Sequence, residues 1–144
     1  MPNNPESKKI GVTVSICLFC YNNDEKKVLT VKNEKPPFKG ALIIPNKTLK
    51  YNQSLDDVCS EILIENIGNN DIYVEQLNAF GKLYRHPDGR TIDISFYGLI
   101  NLEKDKVVLN KNKSAEFTNI SSFPELAFDH NEMVDMALKR IKRR

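Results

Sequence analysis

Hydrophobic residues recur along the chain with two different periods, and each period marks its own kind of secondary structure. The first apolar segment, Val12–Tyr21, is rich in β-branched and aromatic residues and predicts a buried strand. The alternating segment Lys27–Lys32 predicts its hairpin partner after a polar turn. Ala41–Ile44 predicts a short third strand that ends at Pro45.

The clearest helical period lies between Ser54 and Gly68. Ser54 is placed to cap the helix, acidic residues follow in its first turn, and Gly68 is placed to end it. The apolar residues of this segment share one face: Leu55, Val58, Cys59, Ile62, Leu63 and Ile67. A second amphipathic segment, Asn131–Lys142, predicts a C-terminal helix.

Between the two helices the pattern returns to that of strands. Ile72–Leu83 and Thr91–Ile100 predict two strands around the turn Arg85–Arg90, and Val107–Leu109 and Ala115–Ile120 predict weaker ones. The order β-β-β-α-β-β-β-α is typical of a mixed sheet packed between helices, in the α/β (α+β) class.

Length and composition agree with one ordinary globular domain. The chain has 144 residues, 40% hydrophobic and 28% charged, with a formal net charge of +2. We expect a flexible N-terminal tail over residues 1–9 and a single domain over 10–144. No apolar run is long enough to span a bilayer, and the N-terminus lacks the apolar segment of a secretory signal. We therefore expect a cytoplasmic protein without a membrane partner.

Three cysteines are an odd number, which argues against a disulfide framework. Cys17 and Cys20 have the spacing of a zinc motif, but they lie in a predicted strand. Residues three apart in a strand point to opposite faces, so the two thiols cannot bind one zinc ion. We expect both, together with Cys59 in the helix, to be small buried hydrophobes.

Three ordered motifs accompany this pattern. The first is Pro37–Gly40, before the third strand; the second is Glu75–Gly81 with the turn Arg85–Arg90; the third is Phe123–Val134. Together they resemble the Nudix superfamily, and within it the ADP-ribose pyrophosphohydrolases and the related transcriptional regulators of NAD and sugar metabolism. The resemblance covers about residues 12 to 141 and implies the Nudix fold, a mixed sheet between α-helices.

The catalytic Nudix box is where the chain departs from this family. Its pattern is glycine, five residues, glutamate, seven residues, then Arg-Glu-aliphatic-any-Glu-Glu-any-Gly, and the apolar face of the predicted helix fixes its register without an insertion. The box positions are filled, in order, by Lys47, Gln53, Glu61, Ile62, Glu65, Asn66 and Gly68. One acidic position of four survives, at Glu65.

This loss bears on catalysis because Nudix hydrolysis needs Mg²⁺ or a similar hard cation held by several carboxylates of one helix face. Ile62 offers no ligand atom and instead extends the apolar face, and Asn66 offers a neutral carbonyl. A relocated site remains an alternative to a solvated acidic face. It would use Glu61 and Glu65, four residues apart, with Asp57 one turn earlier.

The resemblance also places ligand-contacting arginines in the turn that contains Arg85 and Arg90. Guanidinium groups hold phosphates through two-point hydrogen bonds, and the alternative is a pair of solvated turn residues. Lys32 and Lys39 are further phosphate candidates. Phe38 is a candidate for stacking on a base, with packing as its alternative.

The two histidines carry less chemistry. His86 and His130 have aspartates nearby in sequence, but no Ser or Cys motif supports a nucleophile or an acid–base pair. We expect His130, at the start of the last helix, to cap or pack.

The sequence therefore predicts a Nudix-like domain with a degraded box that binds an ADP-ribose-like or phosphosugar ligand as a sensor module without a cofactor. One alternative is an active Mg²⁺-dependent pyrophosphohydrolase of nucleoside diphosphate derivatives, with Glu61 and Glu65 as catalytic and metal-binding residues. Another is a scaffold for protein contacts. A homodimer is a further expectation. The related regulators carry a winged helix after the segment matching Phe128–His130, so DNA is an expected partner only where such a domain follows.

Overall fold

The computed structural model describes residues 9–22, 24–121 and 125–142. A short 3-10 turn, Lys111–Lys113, precedes the last strand. The strands and α-helices are β1 (Gly11–Asn22), β2 (Glu25–Lys32), β3 (Leu42–Ile43), β4 (Asn46–Thr48), α1 (Leu55–Ile67), β5 (Glu75–Phe80), β6 (Thr91–Ile100), β7 (Glu116–Asn119) and α2 (His130–Lys142).

The sheet is mixed, because its central pair is parallel and its other pairs are antiparallel. Strand β1 runs parallel to β6 over a continuous register from Gly11 opposite Thr91 to Cys20 opposite Ile100. The strand order is β3-β2-β1-β6-β5, with β4 added to β1 and β7 added to β2. The predicted mixed sheet is confirmed.

Two hydrophobic cores form on opposite faces of this sheet. Ile16, Leu18 and Cys20 of β1 pack with the apolar face of α1. The alternate residues Cys17 and Phe19 pack with α2 instead. Because successive strand residues point to opposite faces, the two helices lie on either side of the sheet, as the pattern predicts.

The cysteines behave as small hydrophobes. Cys17 and Cys20 belong to different cores, and they are free and buried like Cys59. Burial raises the pKa of the Cys17 thiol, so it stays protonated. The prediction that the first two do not chelate one metal ion is confirmed.

Helix α1 begins and ends where its sequence indicates. The Ser54 hydroxyl accepts a hydrogen bond from the Asp57 N–H (3.0 Å), and the Asp57 carboxylate accepts one from the Ser54 N–H (2.9 Å), which completes a capping box. Gly68 ends the helix in the left-handed conformation (φ 69°) and donates its N–H to the Ile64 carbonyl. Ile62 is fully buried in the core, as expected.

Two strand predictions fail. Val107–Leu109 forms no strand, because its backbone caps the end of α1: the Val108 N–H donates to the Ile67 carbonyl (2.9 Å). Strand β4 was missed because Pro45 was expected to end strand formation, yet Asn46–Thr48 pairs with β1 immediately after it. Among the other predicted strands, Ile72–Leu83 shortens to β5.

Several predicted segments lie outside the described residues. These are the N-terminal tail over residues 1–9, apart from Lys9, and residues 122–124 of the third motif. Within the described parts of the chain, no helix has the length and apolar character needed to cross a bilayer.

Candidate ligand-binding site

A cavity of about 370 Å³ opens between the polar edge of α1, strand β4 and the loop after β2. We call it the lysine cavity, because four lysines and only two glutamates line it, a balance that favours an anionic ligand. Its lining consists of Val31, Lys32, Asn33, Glu34, Lys35, Ile43, Pro45, Asn46, Lys47, Thr48, Glu65, Asn66 and Lys113.

A second cavity of about 260 Å³ adjoins the first. We call it the aromatic cavity, after His86, Phe128 and His130 in its lining. The two cavities have a set of lining residues in common: Asn33, Lys35, Ile43, Asn46 and Thr48. They are therefore neighbouring parts of one cleft, basic at one end and aromatic at the other.

Glu61 and Glu65, the predicted metal-binding pair, both contact Lys47, which lines the lysine cavity together with Glu65. The Lys47 Nζ lies 3.1 Å from Glu61 Oε2 and 2.5 Å from Glu65 Oε1. These contacts, led by the hydrogen bond to Glu65, raise the pKa of the Lys47 ammonium, which is therefore charged at neutral pH. The remaining oxygens contact Gln53 Nε2 (2.5 Å from Glu61 Oε1) and Lys113 Nζ (4.0 Å from Glu65 Oε2).

The residues of this box do not fit the divalent cation that Nudix hydrolysis requires. All four carboxylate oxygens of Glu61 and Glu65 already face protein cations or donors. Asp57, the third candidate, has its carboxylate in the capping box of α1. Across residues 9–22, 24–121 and 125–142, no three His, Cys, Asp or Glu side chains are arranged to hold a metal ion.

Arg85 lies in the turn where it was predicted, but its side chain is not solvated. Its guanidinium forms a two-point ion pair with Asp129, and Nη1 donates to Thr91 Oγ1 at 2.9 Å. Only 6% of the Arg85 side chain is exposed. The expectation of an exposed turn arginine is wrong for this residue, because α2 brings a carboxylate against it.

The other predicted ligand residues spread around the cleft. Lys32 lines the lysine cavity, whereas Lys39 is exposed and Arg90 half-buried, and both lie outside the linings of the two cavities. Phe38 is 51% exposed and packs its edge against Phe128, with ring centroids 5.1 Å apart. The structure thus brings Lys32 to the cleft but not Lys39 or Arg90.

His130 packs rather than facing solvent, as expected. Its Nδ1 accepts a hydrogen bond from the Ile44 N–H at 2.9 Å. The centroids of the His130 and Phe128 rings lie 5.6 Å apart. Burial lowers the pKa of His130 to about 4, so the ring is neutral at physiological pH. Burial also lowers the pKa of His86, which stacks on Phe128 at 5.0 Å.

A buried carboxylate, Asp93, lies beneath the cleft between β1 and β6. It accepts hydrogen bonds from Thr13, Ser15 and Ser95, each at 2.6 Å. Burial raises the pKa of Asp93, and the three hydroxyls and the charge of Arg85 oppose that rise. Alternate polar residues in two apolar strands were the sequence signal for this network, and the sequence reasoning missed it.

Among the described residues, one buried side-chain polar atom, Asn66 Oδ1, lacks a hydrogen-bond partner. Asn66 donates its Nδ2 to the Ile62 carbonyl (2.8 Å). Asn66 lines the lysine cavity. An acceptor left unsatisfied beside a cavity is suited to a ligand hydroxyl or amide.

Lys47, Lys113 and Asp129 make ion pairs at the candidate site that the sequence analysis did not predict. Lys47 was noted only as a replacement for the box glycine. Its contact with Glu65 spans 18 positions, and that of Arg85 with Asp129 spans 44. No local pattern signals contacts of that range.

Comparison with known proteins relates the chain to ADP-ribose proteins. No protein-family model matches it. It is 23% identical over 134 residues to the ADPR responsive transcriptional repressor NtrR of Acinetobacter baylyi, covering 90% of this chain and 54% of that protein. It is 26% identical over 110 residues to the ADP-ribose pyrophosphatase of Methanocaldococcus jannaschii, covering 76% and 64%. The chain thus spans less than two thirds of either relative.

Solved structures show the same fold. The NUDIX domain of Shewanella oneidensis NrtR, complexed with ADP ribose, superposes with a TM-score of 0.77 at 24% identity, covering 96% of this chain and 93% of that one. A MutT/nudix family protein from Enterococcus faecalis gives 0.79 at 22% identity, covering 99% and 66%. The chain therefore has the Nudix fold, an α/β arrangement with a mixed sheet and two helices.

Proposed function

We propose that this Nudix-fold domain is a sensor module that binds a nucleoside diphosphate sugar of the ADP-ribose type, or a phosphosugar, without hydrolysing it. The observation that carries the proposal is the cleft itself. A lysine-rich cavity adjoins an aromatic one beside a box helix whose remaining carboxylates are already neutralised.

The charge of the cleft favours a diphosphate. Lys32 and Lys35 line the lysine cavity from the end of β2 and the loop after it, and Lys113 lines it from the 3-10 turn, 4.0 Å from Glu65 of α1. Ammonium groups bind phosphate oxygens by charge-assisted hydrogen bonds, which are stronger than neutral ones. Such an array suits the two phosphates of a nucleoside diphosphate sugar.

Size and polarity support the same class of ligand. The two adjoining cavities, of about 370 and 260 Å³, fall in the usual range of small-molecule sites, roughly 300–1,000 Å³. The unpartnered Asn66 Oδ1 can accept a hydroxyl hydrogen of a sugar. Phe128 and His86 provide ring surfaces in the aromatic cavity, and the half-exposed Phe38 packs against Phe128 outside its lining.

The related proteins point to ADP-ribose as the first ligand to test. One sequence relative is named for its response to ADP-ribose, and one Nudix domain of the same fold has been solved with ADP ribose bound. A structure of Shewanella oneidensis NrtR with a 27mer DNA also matches this fold. For the present chain, DNA binding is part of the proposal only in combination with a winged-helix domain, and a homodimer remains a prediction.

Calorimetry with ADP-ribose, combined with chromatography of the nucleotide after incubation with Mg²⁺, tests the proposal. We expect binding without release of AMP. Lys32→Ala or Lys113→Ala should weaken binding about tenfold, the effect of losing one charge-assisted contact. Lys104→Ala, on an exposed turn away from the cleft, is the matched control and should change nothing.

Other outcomes would replace the proposal. AMP release that depends on Mg²⁺ and is lost in Glu65→Gln would establish the pyrophosphohydrolase instead. If neither ADP-ribose, ribose 5-phosphate nor free nucleotides bind the intact domain, the scaffold for protein contacts takes its place.

A further inference from the structure

We infer that the Lys47 ammonium is a built-in cation that replaces the divalent metal ion of the Nudix box, so that the cleft takes its anionic ligand without metal. The part of this inference that concerns a ligand rests on the proposed function. The part that concerns the metal does not, and it can be tested on the protein alone.

The contacts of the two glutamates carry the inference. Lys47 Nζ lies between Glu61 Oε2 (3.1 Å) and Glu65 Oε1 (2.5 Å), the space that an ion bound by both carboxylates would need. Gln53 donates to Glu61 Oε1, and Lys113 lies near Glu65 Oε2. A divalent ion would have to displace the ammonium and then compete for oxygens that already have partners.

The fold holds Lys47 in this position. Its residue lies at the centre of the short strand β4, where its backbone pairs opposite Val14 of β1. Glu61 and Glu65 are on successive turns of α1, which packs against β4. Two packed elements therefore hold the backbone of Lys47 and of both glutamates at a distance that the lysine side chain spans.

Two exchanges against the box pattern raise the local charge, whereas a third, from arginine to Glu61, lowers it. Against the Nudix box pattern, a glycine has become Lys47 and a glutamate has become Gln53. One change adds a positive charge and the other removes a negative one. Lys47 and Gln53 both contact Glu61. Each of the two changes thus supplies part of the positive charge that a metal ion brings.

Titration with Mn²⁺ in the absence of nucleotide, followed by electron paramagnetic resonance of the free ion, tests the metal part. The intact domain should bind Mn²⁺ no better than Glu65→Gln does. Lys47→Ala combined with Gln53→Glu removes the ammonium and restores a third carboxylate, and it should bind at least ten times more tightly. Gln53→Glu alone should gain little, because Lys47 still occupies the site.

Two further variants keep this test decisive. Lys113→Ala removes a lysine of the same cavity that lies farther from the carboxylates, and it should not open the metal site. Lys47→Met keeps the aliphatic stem and its packing without the charge, for use if the alanine variant unfolds. Melting curves establish that each variant is folded.

The outcomes separate this inference from the proposed function. If the intact domain binds Mn²⁺ as tightly as the Lys47 variants, or if the folded Lys47→Ala, Gln53→Glu protein gains no affinity, the built-in cation is refuted. The ligand arm compares ADP-ribose affinity in Mg²⁺ and in EDTA, which should agree within about twofold. A tenfold loss in EDTA refutes metal-independent binding, whereas absence of any ADP-ribose binding refutes only the proposed function.

Discussion

The side chains of Arg85 and Asp129 meet in parallel, with Nε 2.8 Å from Oδ2 and Nη2 2.7 Å from Oδ1. Only 6% and 13% of the two side chains are exposed. The pair joins the turn before β6 to the start of α2, and each residue follows one with a left-handed backbone, Tyr84 (φ 63°) and Phe128 (φ 57°). The contact fixes the wall of the aromatic cavity.

Removing one member of this pair should destabilise the fold. Arg85→Ala leaves the Asp129 carboxylate buried without its partner, which typically costs about 3–5 kcal/mol. Arg85→Lys should recover part of this, since lysine keeps the charge but not the two-point geometry. Urea denaturation measures the effect. Arg90→Ala, in the same turn, is the control and should cost no more than about 0.5 kcal/mol. A similar small loss for Arg85→Ala would show that the pair contributes no stability.

Ile62, on the apolar face of α1, should be a core residue in energetic terms. Ile62 is fully buried, so Ile62→Ala should lower the free energy of unfolding by about 2–4 kcal/mol. Ile64, two positions along the same helix, is 48% exposed and serves as the matched control. Its alanine variant should lose much less in the same denaturation experiment. Equal losses would mean that the burial of Ile62 is not what matters.

Burial of His130 should make stability depend on pH. The pKa of its imidazole is lowered to about 4 in the fold, against a usual value of 6.5. Between these values the unfolded chain binds the extra proton, so unfolding becomes easier as pH falls. The stability that neutral His130 contributes is fully present above pH 6.5. Between pH 6.5 and pH 4 the free energy of unfolding falls by no more than about 1.4 kcal/mol per pH unit.

Asp93 changes the stability of the fold with pH in the opposite direction to His130, and this determines which control variant is needed. Its pKa is raised from 3.8, so it favours the fold as pH falls and disfavours it as pH rises. The comparison therefore needs His130→Asn, whose amide oxygen can still accept the Ile44 N–H while Asp93 is unchanged. Denaturation midpoints measured from pH 7 to pH 4 should fall more steeply for the original protein. Parallel curves would contradict the assignment to His130.

Arg90 lies outside the linings of the two cavities, but unlike Arg85 its guanidinium makes no ion pair among the described residues. Among the described residues, the guanidinium of Arg90 makes one hydrogen bond, from Nη1 to the Thr91 carbonyl, which is long at 3.4 Å. If this turn holds a phosphate, Arg90→Ala should weaken ADP-ribose binding roughly ten- to hundred-fold, and Arg90→Lys should weaken it less. Calorimetry decides this, and unchanged affinity would remove the turn from the binding site.

Elements with a strong local pattern could be predicted from the sequence. Strand β6 spans Thr91–Ile100 as expected, and α1 is capped by Ser54 and Gly68 as expected. Val107–Leu109 misled the prediction because apolar residues packed on a helix end resemble a strand. Pro45 misled it because proline removes one backbone donor but does not prevent pairing of the residues after it.

The candidate site was less predictable, because its contacts are tertiary. The box pattern singled out Glu61 and Glu65 as candidate carboxylates. It could not show that Lys47 turns towards both glutamates, or that Asp129 engages Arg85, since side-chain direction across elements is not encoded in local spacing. The ion pairs of Arg85 and Glu65 therefore change the interpretation of two residues that the sequence singled out.

The parallel pairing of β1 with β6 has a consequence for how the protein is made. Residues 80 positions apart, such as Ser15 and Ser95, must meet before the centre of the sheet exists. Such a long loop closure slows folding relative to local hairpins. During synthesis β1 emerges early and can form a hairpin with β2, but its other edge stays open until Ile100 has left the ribosome. For that interval the nascent chain presents an unpaired apolar strand. Chaperones shield strand edges of this kind, and unshielded edges promote aggregation.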